Sequence, residues 1–169
     1  IFDTYILAGE PEGLVIIDYH AAHERFIYDR LMADDGDAGT QGLIFPHALE
    51  LAPHECAVVL ENLDRFTGAG FQVEEIGEGA LAVRGVPSAA SGIDLDAFFQ
   101  DLIHSIDSAS GKERDARWKT LIAEKAACHS AKRAGDGLSR VDAAALAREA
   151  LSGAHELRCP HGRPYLYRL

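Results

Sequence analysis

Two short apolar runs near the start of the chain constrain its fold more than any other feature. The runs cover residues 4–8 and 14–18, and the turn-forming segment 9–13 separates them. This pattern predicts two antiparallel strands joined as a hairpin. Directly after the second run, over residues 21–32, the apolar positions change to helical spacing. A helix is therefore expected to leave the end of the hairpin.

The remainder of the chain alternates between extended and helical patterns. Because hairpins and helices alternate without the regular β-α-β rhythm of a parallel sheet, the predicted fold class is α+β. The further elements predicted are a loop at 34–40, an extended segment at 41–52, strands at 71–74 and 80–84, helices at 53–67, 94–105, 114–128 and 141–151, and a turn with a last strand at 159–169.

The balance of charge argues against tight DNA binding by this chain alone. Its 169 residues carry a net charge of −11, whereas a domain that holds DNA by its phosphates is normally basic. The simplest interpretation is a domain that does not touch nucleic acid. The alternative is that another domain or a partner delivers DNA, so that the acidic charge prevents untethered action.

Cysteine usage and hydropathy predict a reducing, cytosolic setting. The chain has three cysteines, Cys56, Cys128 and Cys159, and an odd number without a secretory signal argues against a disulfide framework. No apolar run reaches the ~20 residues needed to cross a bilayer.

The chain starts without Met inside a strand-like run, which suggests a piece of a longer protein. Its length allows one domain or two small subdomains.

The segment 18–24 is the first candidate site. His20 and Glu24 are four residues apart, so a helix places them on one face. Asp18 stands at the end of the preceding strand, and His23 offers a further imidazole. Imidazole suits Zn²⁺, and carboxylate also suits Mn²⁺ and Mg²⁺. The segment is a candidate metal site, and the alternative is a solvated helix start.

A second candidate lies near the end of the chain, where residues 159–164 read CPHGRP. Cys159 and His161 are two residues apart in a stretch stiffened by proline, which aims two soft or borderline metal ligands the same way. The alternative is a buried cysteine and a loop histidine. Cys128, at the end of a predicted helix, is a possible further thiolate, although a free cysteine is usually a small hydrophobe. Spacing alone does not show that these segments meet.

Taken in order, these segments resemble the motifs of the C-terminal domain of the MutL family of DNA mismatch repair proteins. Nuclease-active members carry Asp-Gln-His-Ala, two residues, Glu, four residues and Glu, and residues 18–29 read DYHAAHERFIYD. Ala127 and Cys128 are similar to an Ala-Cys-Arg/Lys element. Residues 159–164 match the Cys-Pro-His-Gly-Arg-Pro element in full.

The resemblance implies two subdomains. Residues 1–42 and about 113–169 are expected to form a discontinuous dimerisation subdomain, with mixed sheet and helices, that holds the metal site. Residues 43–112 are expected to form an inserted, smaller α/β regulatory subdomain. The family forms homodimers in bacteria through this domain, and the apolar first hairpin is a plausible part of that interface. A cytoplasmic, nucleoid-associated location in bacteria is implied as well.

The resemblance also implies a latent metal-dependent endonuclease that nicks duplex DNA. Asp18 and Glu24 are the expected catalytic residues, and Arg163 is expected to contact a DNA phosphate. Zn²⁺ and Mn²⁺ are the implied metals, held in a two-metal site. ATP binding belongs to the family's N-terminal region, which this chain does not contain. The implied metal ligands are His20, Glu24, Cys128, Cys159 and His161.

A short segment after the first helix resembles the peptide by which MutL proteins bind the replication sliding clamp. It has the form Gln-x-x-Ile-x-Pro, with Gln41, Ile44 and Pro46 at the three positions. Extended peptides with apolar anchors fill pockets on such partners, and the alternative is an ordinary linker.

The other implied partners are a second copy of the chain, the mismatch recognition protein MutS through the full-length protein, and duplex DNA, held weakly by this domain alone. No membrane is expected.

Two departures from the family motif favour a second hypothesis. Tyr19 stands where the motif has Gln, and Asp29 stands where it ends in Glu. The domain would then be a nuclease-inactive dimerisation scaffold with a structural zinc site. A third hypothesis is an unrelated zinc-binding interaction module.

Overall fold

Helices and antiparallel strands are combined in this chain, as the sequence predicts. The computed structural model describes residues 1–33, 39–77, 79–107, 111–133 and 135–169, and for residue 107 and residues 111–116 it describes the backbone alone. Both sheets are antiparallel, so the α+β class is confirmed. Most of the loop predicted at 34–40 lies outside the described residues.

The elements follow the predicted order closely. The last helix is capped at its start, since the Ser139 hydroxyl accepts a hydrogen bond from the Asp142 N–H. The elements are β1 (Tyr5–Glu10), β2 (Gly13–Asp18), α1 (Tyr19–Met32), β3 (Thr40–Leu49), α2 (Pro53–Leu60), α3 (Leu63–Gly68), β4 (Gln72–Gly77), β5 (Ala80–Pro87), a short 3-10 helix (Ser88–Ala90), α4 (Leu95–Asp107), α5 (Gly111–Ser130), α6 (Arg140–Leu151) and β6 (Leu166–Arg168).

The contacts divide the chain into two compact units. Unit 1 consists of Ile1–Asp29 with Ala131–Leu169, and unit 2 consists of Arg30–Ser130. One unit is therefore discontinuous and the other is inserted, but the boundaries differ from the predicted ones: residues 30–42 and 113–130 fall in unit 2. The roles expected for the two parts, dimerisation and regulation, stay predictions.

Unit 1 is built on the sheet β1-β2-β6. Side chains of a strand alternate between its two faces, and Val15, Ile17 and Leu166 are buried on the inner one. That face packs against Ala22 and Phe26 of α1 and against α6. The packing fixes the start of α1 at the end of β2.

Unit 2 is built on the sheet β3-β5-β4 and an aromatic core. The Phe71 and Phe98 rings stack with their centroids 4.9 Å apart, and Phe66 stacks on Phe99 at 5.3 Å. Trp118 of α5 meets Phe66 edge-on at 5.9 Å. Such ring pairs add to the stabilisation from apolar burial.

The single helix predicted over residues 53–67 is wrong, because two helices occupy this stretch. The break falls at Asn62, whose φ of −123° and ψ of 20° are not helical. The Asn62 side chain donates to the Val58 carbonyl at 2.7 Å, in competition with the backbone. The apolar spacing continues across the break, and this is why the periodicity did not reveal it.

Within the described residues, the chain contains no helix both long and apolar enough to span a bilayer.

The hairpin turn is in close contact with the end of the chain, which gives a test of the unit 1 sheet. A Cβ at Gly13 would lie 2.2 Å from the carbonyl oxygen of Leu169, whereas a Cβ at Gly9 would meet nothing within 4 Å. Gly13→Ala should therefore push Leu169 away from β2 and lower the free energy of unfolding by about 1–3 kcal/mol. Gly9→Ala, on the same hairpin, should change it by less than about 0.5 kcal/mol. Equal effects of the two substitutions in denaturant titrations would contradict this account.

Candidate metal centre

The junction between β2 and α1 sets the first half of the site. Asp18 is the last residue of β2, and its Oδ1 accepts a hydrogen bond from the Ala21 N–H at 3.1 Å. This bond satisfies one of the free N–H groups at the helix start. Asp18 thus caps α1, and the helix carries His20 and Glu24 one turn apart.

A closed turn after α6 sets the second half. The Cys159 N–H donates to the Arg163 carbonyl at 2.9 Å, and the Gly162 N–H donates to the Cys159 carbonyl at 2.9 Å. Gly162 has a φ of +83°, a conformation that residues with a Cβ rarely adopt. The sequence therefore closes residues 159–163 into a fixed loop that presents Cys159 and His161.

The two halves meet at three side chains. One ligand atom from each of Glu24, Cys159 and His161 lies within 4.8 Å of the other two. Glu24 and Cys159 are each 1% exposed, whereas His161 is exposed. A thiol, an imidazole and a carboxylate form a ligand set that suits Zn²⁺, and three protein ligands with an open side are typical of catalytic sites. The residues present therefore fit a metal ion.

Glu24 is the electrostatic centre of the site. Its Oε1 lies 3.3 Å from His20 Nε2, and its Oε2 lies 3.6 Å from His161 Nδ1 and 3.4 Å from Arg163 Nη2. Burial raises the pKa of Glu24, but the hydrogen bond from His20 and the charges of His20, His161 and Arg163 outweigh it and lower the pKa from 4.5 to about 2. The site therefore holds a buried carboxylate that stays ionised.

His20 is oriented from its far side. Its Nδ1 lies 2.8 Å from the Lys132 carbonyl oxygen, so this nitrogen carries the proton and Nε2 faces Glu24. The hydrogen bond to Glu24 raises the pKa of His20 above 6.5, although burial lowers it. His23 accepts a hydrogen bond from the Lys132 N–H at 3.1 Å. The two histidines thus hydrogen-bond both backbone groups of Lys132.

Arg163 is bound into the same cluster. A hydrogen bond to the Cys159 side chain raises the pKa of Arg163, burial lowers it, and the charges of Glu24, Cys159 and Asp18 raise it further. Asp18 and Arg163, two of the predicted site residues, therefore share the electrostatic environment of the cluster. The phosphate contact expected of Arg163 stays a prediction.

Cys128 is placed in the other unit. It lies in the last turns of α5 and is not one of the three residues whose ligand atoms converge. Next to it, His129 Nε2 lies 3.1 Å from Asp101, and Lys125 Nζ lies 2.9 Å from the same carboxylate. The ligand role of Cys128 stays a prediction.

Tyr19, the larger departure from the motif, is a core residue. It is 2% exposed, and its hydroxyl oxygen lies 2.6, 3.1 and 3.0 Å from the carbonyl oxygens of Asp3, Arg133 and Asp136. Burial raises the pKa of Tyr19, so the hydroxyl remains protonated and its single proton can be donated to one of these carbonyls at a time. The side chain thus joins the start of α1 to the backbone at Asp3, Arg133 and Asp136.

Asp29, the other departure, also has a structural setting. Its Oδ1 accepts from Arg25 Nη1 at 3.0 Å, and its Oδ2 lies 2.7 Å from His155 Nδ1. The i, i+4 spacing of Arg25 and Asp29 could have revealed the first contact from sequence. Nothing local in the sequence marks the contact between His155 and Asp29, because the two residues are 126 positions apart.

The predicted clamp-binding residues lie on β3 in unit 2. Gln41 pairs with Val86 in the ladder between β3 and β5. Ile44 is 92% exposed, and Pro46 is exposed. The structure thus leaves this apolar stretch open to solvent.

The pKa shifts of His20 and Glu24 predict a pH window for the stability of the metal-free domain. The stabilisation from Glu24 is complete above pH 4.5 and is lost as the pH falls towards about 2. The stabilisation from His20 is complete below pH 6.5 and is lost as the pH rises through its raised pKa. The difference in unfolding free energy between the wild type and Glu24→Gln should therefore be largest between pH 4.5 and 6.5.

Chemical denaturation at a series of pH values measures this difference. Glu61→Gln, at an exposed position, serves as the matched control and should show no such window. A difference for Glu24→Gln that stays constant from about pH 3 to 8 would contradict the predicted coupling.

Comparison with known proteins places these features in a family. Residues 1–138 match the family model described as the MutL C terminal dimerisation domain. The chain is similar to DNA mismatch repair protein MutL of Symbiobacterium thermophilum (39% identical over 95% of the chain and 26% of that protein) and of Acidiphilium cryptum (37% identical over 100% of the chain and 30% of that protein). It thus spans less than a third of the length of these relatives. The chain belongs to the MutL C-terminal dimerisation domain family.

Proposed function

We propose that this domain serves DNA mismatch repair as a homodimeric, metal-dependent endonuclease module that nicks one strand of duplex DNA. The observation that carries the proposal is the convergence of Glu24, Cys159 and His161 within 4.8 Å around a buried, ionised carboxylate. Glu24 is buried and surrounded by His20, His161 and Arg163, which distinguishes this site from a cluster of acidic side chains on the surface. Burying a carboxylate is unfavourable unless cations or hydrogen bonds compensate it.

The two oxygens of Glu24 face different partners, which supports two ion positions. Oε2 faces His161 and Arg163, and Oε1 faces His20. We assign Glu24, Cys159 and His161 to one ion and His20 with Glu24 to the other. Thiolate and imidazole favour Zn²⁺, and carboxylate oxygens also accept Mn²⁺. Bound metal would supply an activated water and stabilise the leaving oxygen.

The other residues of the site prepare it for a phosphodiester. Arg163 is 57% exposed at its side chain, and its planar guanidinium matches a phosphate. Asp18 holds the start of α1 in place through Ala21 and would orient water or the second ion. The His20–Lys132 hydrogen bond fixes the imidazole, as a partner of a metal-binding histidine commonly does.

The net charge of −11 implies that DNA reaches this site with help. An acidic domain binds duplex DNA weakly, because phosphate neutralisation supplies most non-specific affinity. In this proposal, the remainder of a longer protein delivers DNA, binds ATP and responds to the mismatch recognition protein MutS. The acidic surface then limits nicking to recruited complexes in the bacterial cytoplasm.

An apolar face of the unit 1 sheet supports homodimerisation. Leu7, Ile16 and Tyr167 form one cross-strand row on the face opposite the buried Val15 and Ile17. Leu7 is 43% exposed and Tyr167 is 47% exposed. Apolar surface of this kind marks association sites. We propose that a second copy of the chain covers it.

A local excursion of β3 supports clamp binding. The β3–β5 ladder pairs Gly42 with Gly85 and His47 with Val83, so residues 43–46 stand opposite Arg84 alone. Ile44 and Phe45 at its tip are 92% and 82% exposed. His47 closes the excursion and pairs with Asp96 at 3.1 Å. Exposed apolar anchors on an extended segment suit the pockets of a partner such as the sliding clamp.

The second candidate is a nuclease-inactive scaffold with a structural zinc. It is favoured by the burial of Glu24 and Cys159 and by the substitutions at Tyr19 and Asp29. The contacts of Tyr19 weaken the argument from substitution. Its hydroxyl lies against the backbone carbonyls of Asp3, Arg133 and Asp136, so the change from Gln to Tyr has a role in packing. Family membership removes the third hypothesis, an unrelated zinc-binding module.

Nicking of supercoiled plasmid by the full-length protein that carries this domain tests the proposal, with Mn²⁺ and clamp present. Glu24→Gln and Cys159→Ser should each lower the nicking rate by about 100-fold or more, since even partners of metal ligands contribute 10–100-fold. Glu61→Gln, at an exposed position, should nick like the wild type. Bound zinc with no nicking by the wild type would instead establish the scaffold.

The excursion has a separate test. Gln41→Ala with Ile44→Ala should weaken clamp binding more than about 10-fold. Loss of a side chain that is buried in the complex with the clamp costs about 2 kcal/mol. Ile76→Ala is the control, since Ile76 is 52% exposed on β4 of the same sheet. All of these proteins should remain dimers in sedimentation analysis. Unchanged clamp binding by the double variant would contradict the assignment.

A further inference from the structure

Two neighbouring residues of α1, Glu24 and Arg25, are the buried charged side chains among the residues described, at 1% and 8% exposure. Glu24 belongs to the candidate metal centre, whereas Arg25 donates its hydrogen bonds to Arg158, Asp29 and Glu156. We propose that Arg25 is a positioning residue, which fixes the turn carrying Cys159 and His161 against Glu24. The inference rests on the proposed metal centre.

Arg25 contacts three groups with three different nitrogens. Nε donates to the Arg158 carbonyl at 2.6 Å, Nη1 donates to Asp29 at 3.0 Å, and Nη2 donates to Glu156 at 3.2 Å. A guanidinium is planar and its donors have fixed directions. Two charged partners on the Nη atoms therefore set the direction in which Nε points.

The bond from Nε reaches the peptide group that begins the metal-binding turn. The Arg158 carbonyl belongs to the same peptide unit as the Cys159 N–H. Its oxygen accepts from Arg25, and its N–H donates to the Arg163 carbonyl at 2.9 Å. This peptide unit is thus held at both ends. The position of the Cys159 backbone, and with it the thiol, depends on both bonds.

Asp29 is the firmer of the two carboxylates that hold Arg25. It also pairs with His155 Nδ1 at 2.7 Å, and the His155 ring lies 4.5 Å from the Phe26 ring. Glu156 is 65% exposed at its side chain, and exposed ion pairs contribute little. Asp29 therefore limits the movement of the guanidinium, and this gives the acid at this motif position a role outside the metal ligands.

The geometric consequence is a direct link between two ligand-bearing segments. Glu24 and Arg25 are consecutive. One turn of α1 therefore supplies a metal ligand and also donates a hydrogen bond to the Arg158 carbonyl, directly before Cys159. Without Arg25, the charged contacts between α1 and this turn are the pairs of Glu24 with Arg163 at 3.4 Å and with His161 at 3.6 Å, and both of these partners are exposed, at 57% and 48% of their side chains. The separation between Glu24 and Cys159 would then vary more, at a cost in metal affinity.

Titration of the metal-free chain with Co²⁺ tests the inference, with the thiolate-to-cobalt absorption band as the signal. Arg25→Met should weaken Co²⁺ binding about 10–100-fold and reduce the band. Arg25→Lys keeps the positive charge but loses the three-directional fork, so it should also bind weakly. Arg148→Met, at an exposed position on α6 of the same unit, is the control and should match the wild type.

Each outcome decides a specific point. Full affinity in Arg25→Lys would show that charge alone matters and would overturn positioning. An Arg25→Met chain that is less stable to denaturant but has unchanged Co²⁺ affinity and spectrum would also overturn it. If Arg25→Met does not fold, Asp29→Asn replaces it, and unchanged affinity there counts against the inference. A wild type that binds no Co²⁺ would instead overturn the metal centre itself.

Discussion

The buried carboxylate of Glu24 is the interaction on which the rest of the site depends. A charge removed from water is costly unless compensating groups surround it, and Glu24 is 1% exposed. Its compensation comes from His20 on the same helix and from His161 and Arg163 on a turn more than 130 residues away in sequence. Removing any of these groups would leave the anion less compensated, so the site and the packing of unit 1 are energetically coupled.

That coupling explains why so much of the neighbourhood is tied to backbone atoms. His20 and His23 hold Lys132, the Tyr19 hydroxyl lies between three carbonyl oxygens, and Arg25 holds Arg158. A backbone group is present whatever side chain the residue carries. These contacts therefore depend on where the backbone of Lys132, Arg158 and the other partners lies, and not on which residues those partners are. The substitution of Tyr for Gln at position 19 fits this scheme, because its hydroxyl serves the packing of the segments around α1.

Local features were predictable from sequence, and long-range ones were not. The first hairpin and the start of α1 follow from turn residues and from the change to helical periodicity. The convergence of Glu24 with Cys159 and His161 could be expected only from the family motifs, since no spacing rule relates residues so far apart. The break at Asn62 and the structural setting of Asp29 depend on single side-chain contacts, which apolar patterning does not encode.

The excursion of β3 separates the demands of folding from those of the proposed clamp binding. Regular pairing stops at Gly42 and resumes at His47, so the hydrogen bonds on either side do not depend on what lies between. Neither the length nor the chemistry of residues 43–46 is constrained by the ladder. Such a segment can diverge between relatives at the rate of a surface loop while the sheet beneath it stays constant. Under the proposed clamp binding, substitutions in this segment would alter the choice of partner without changing the core of the domain.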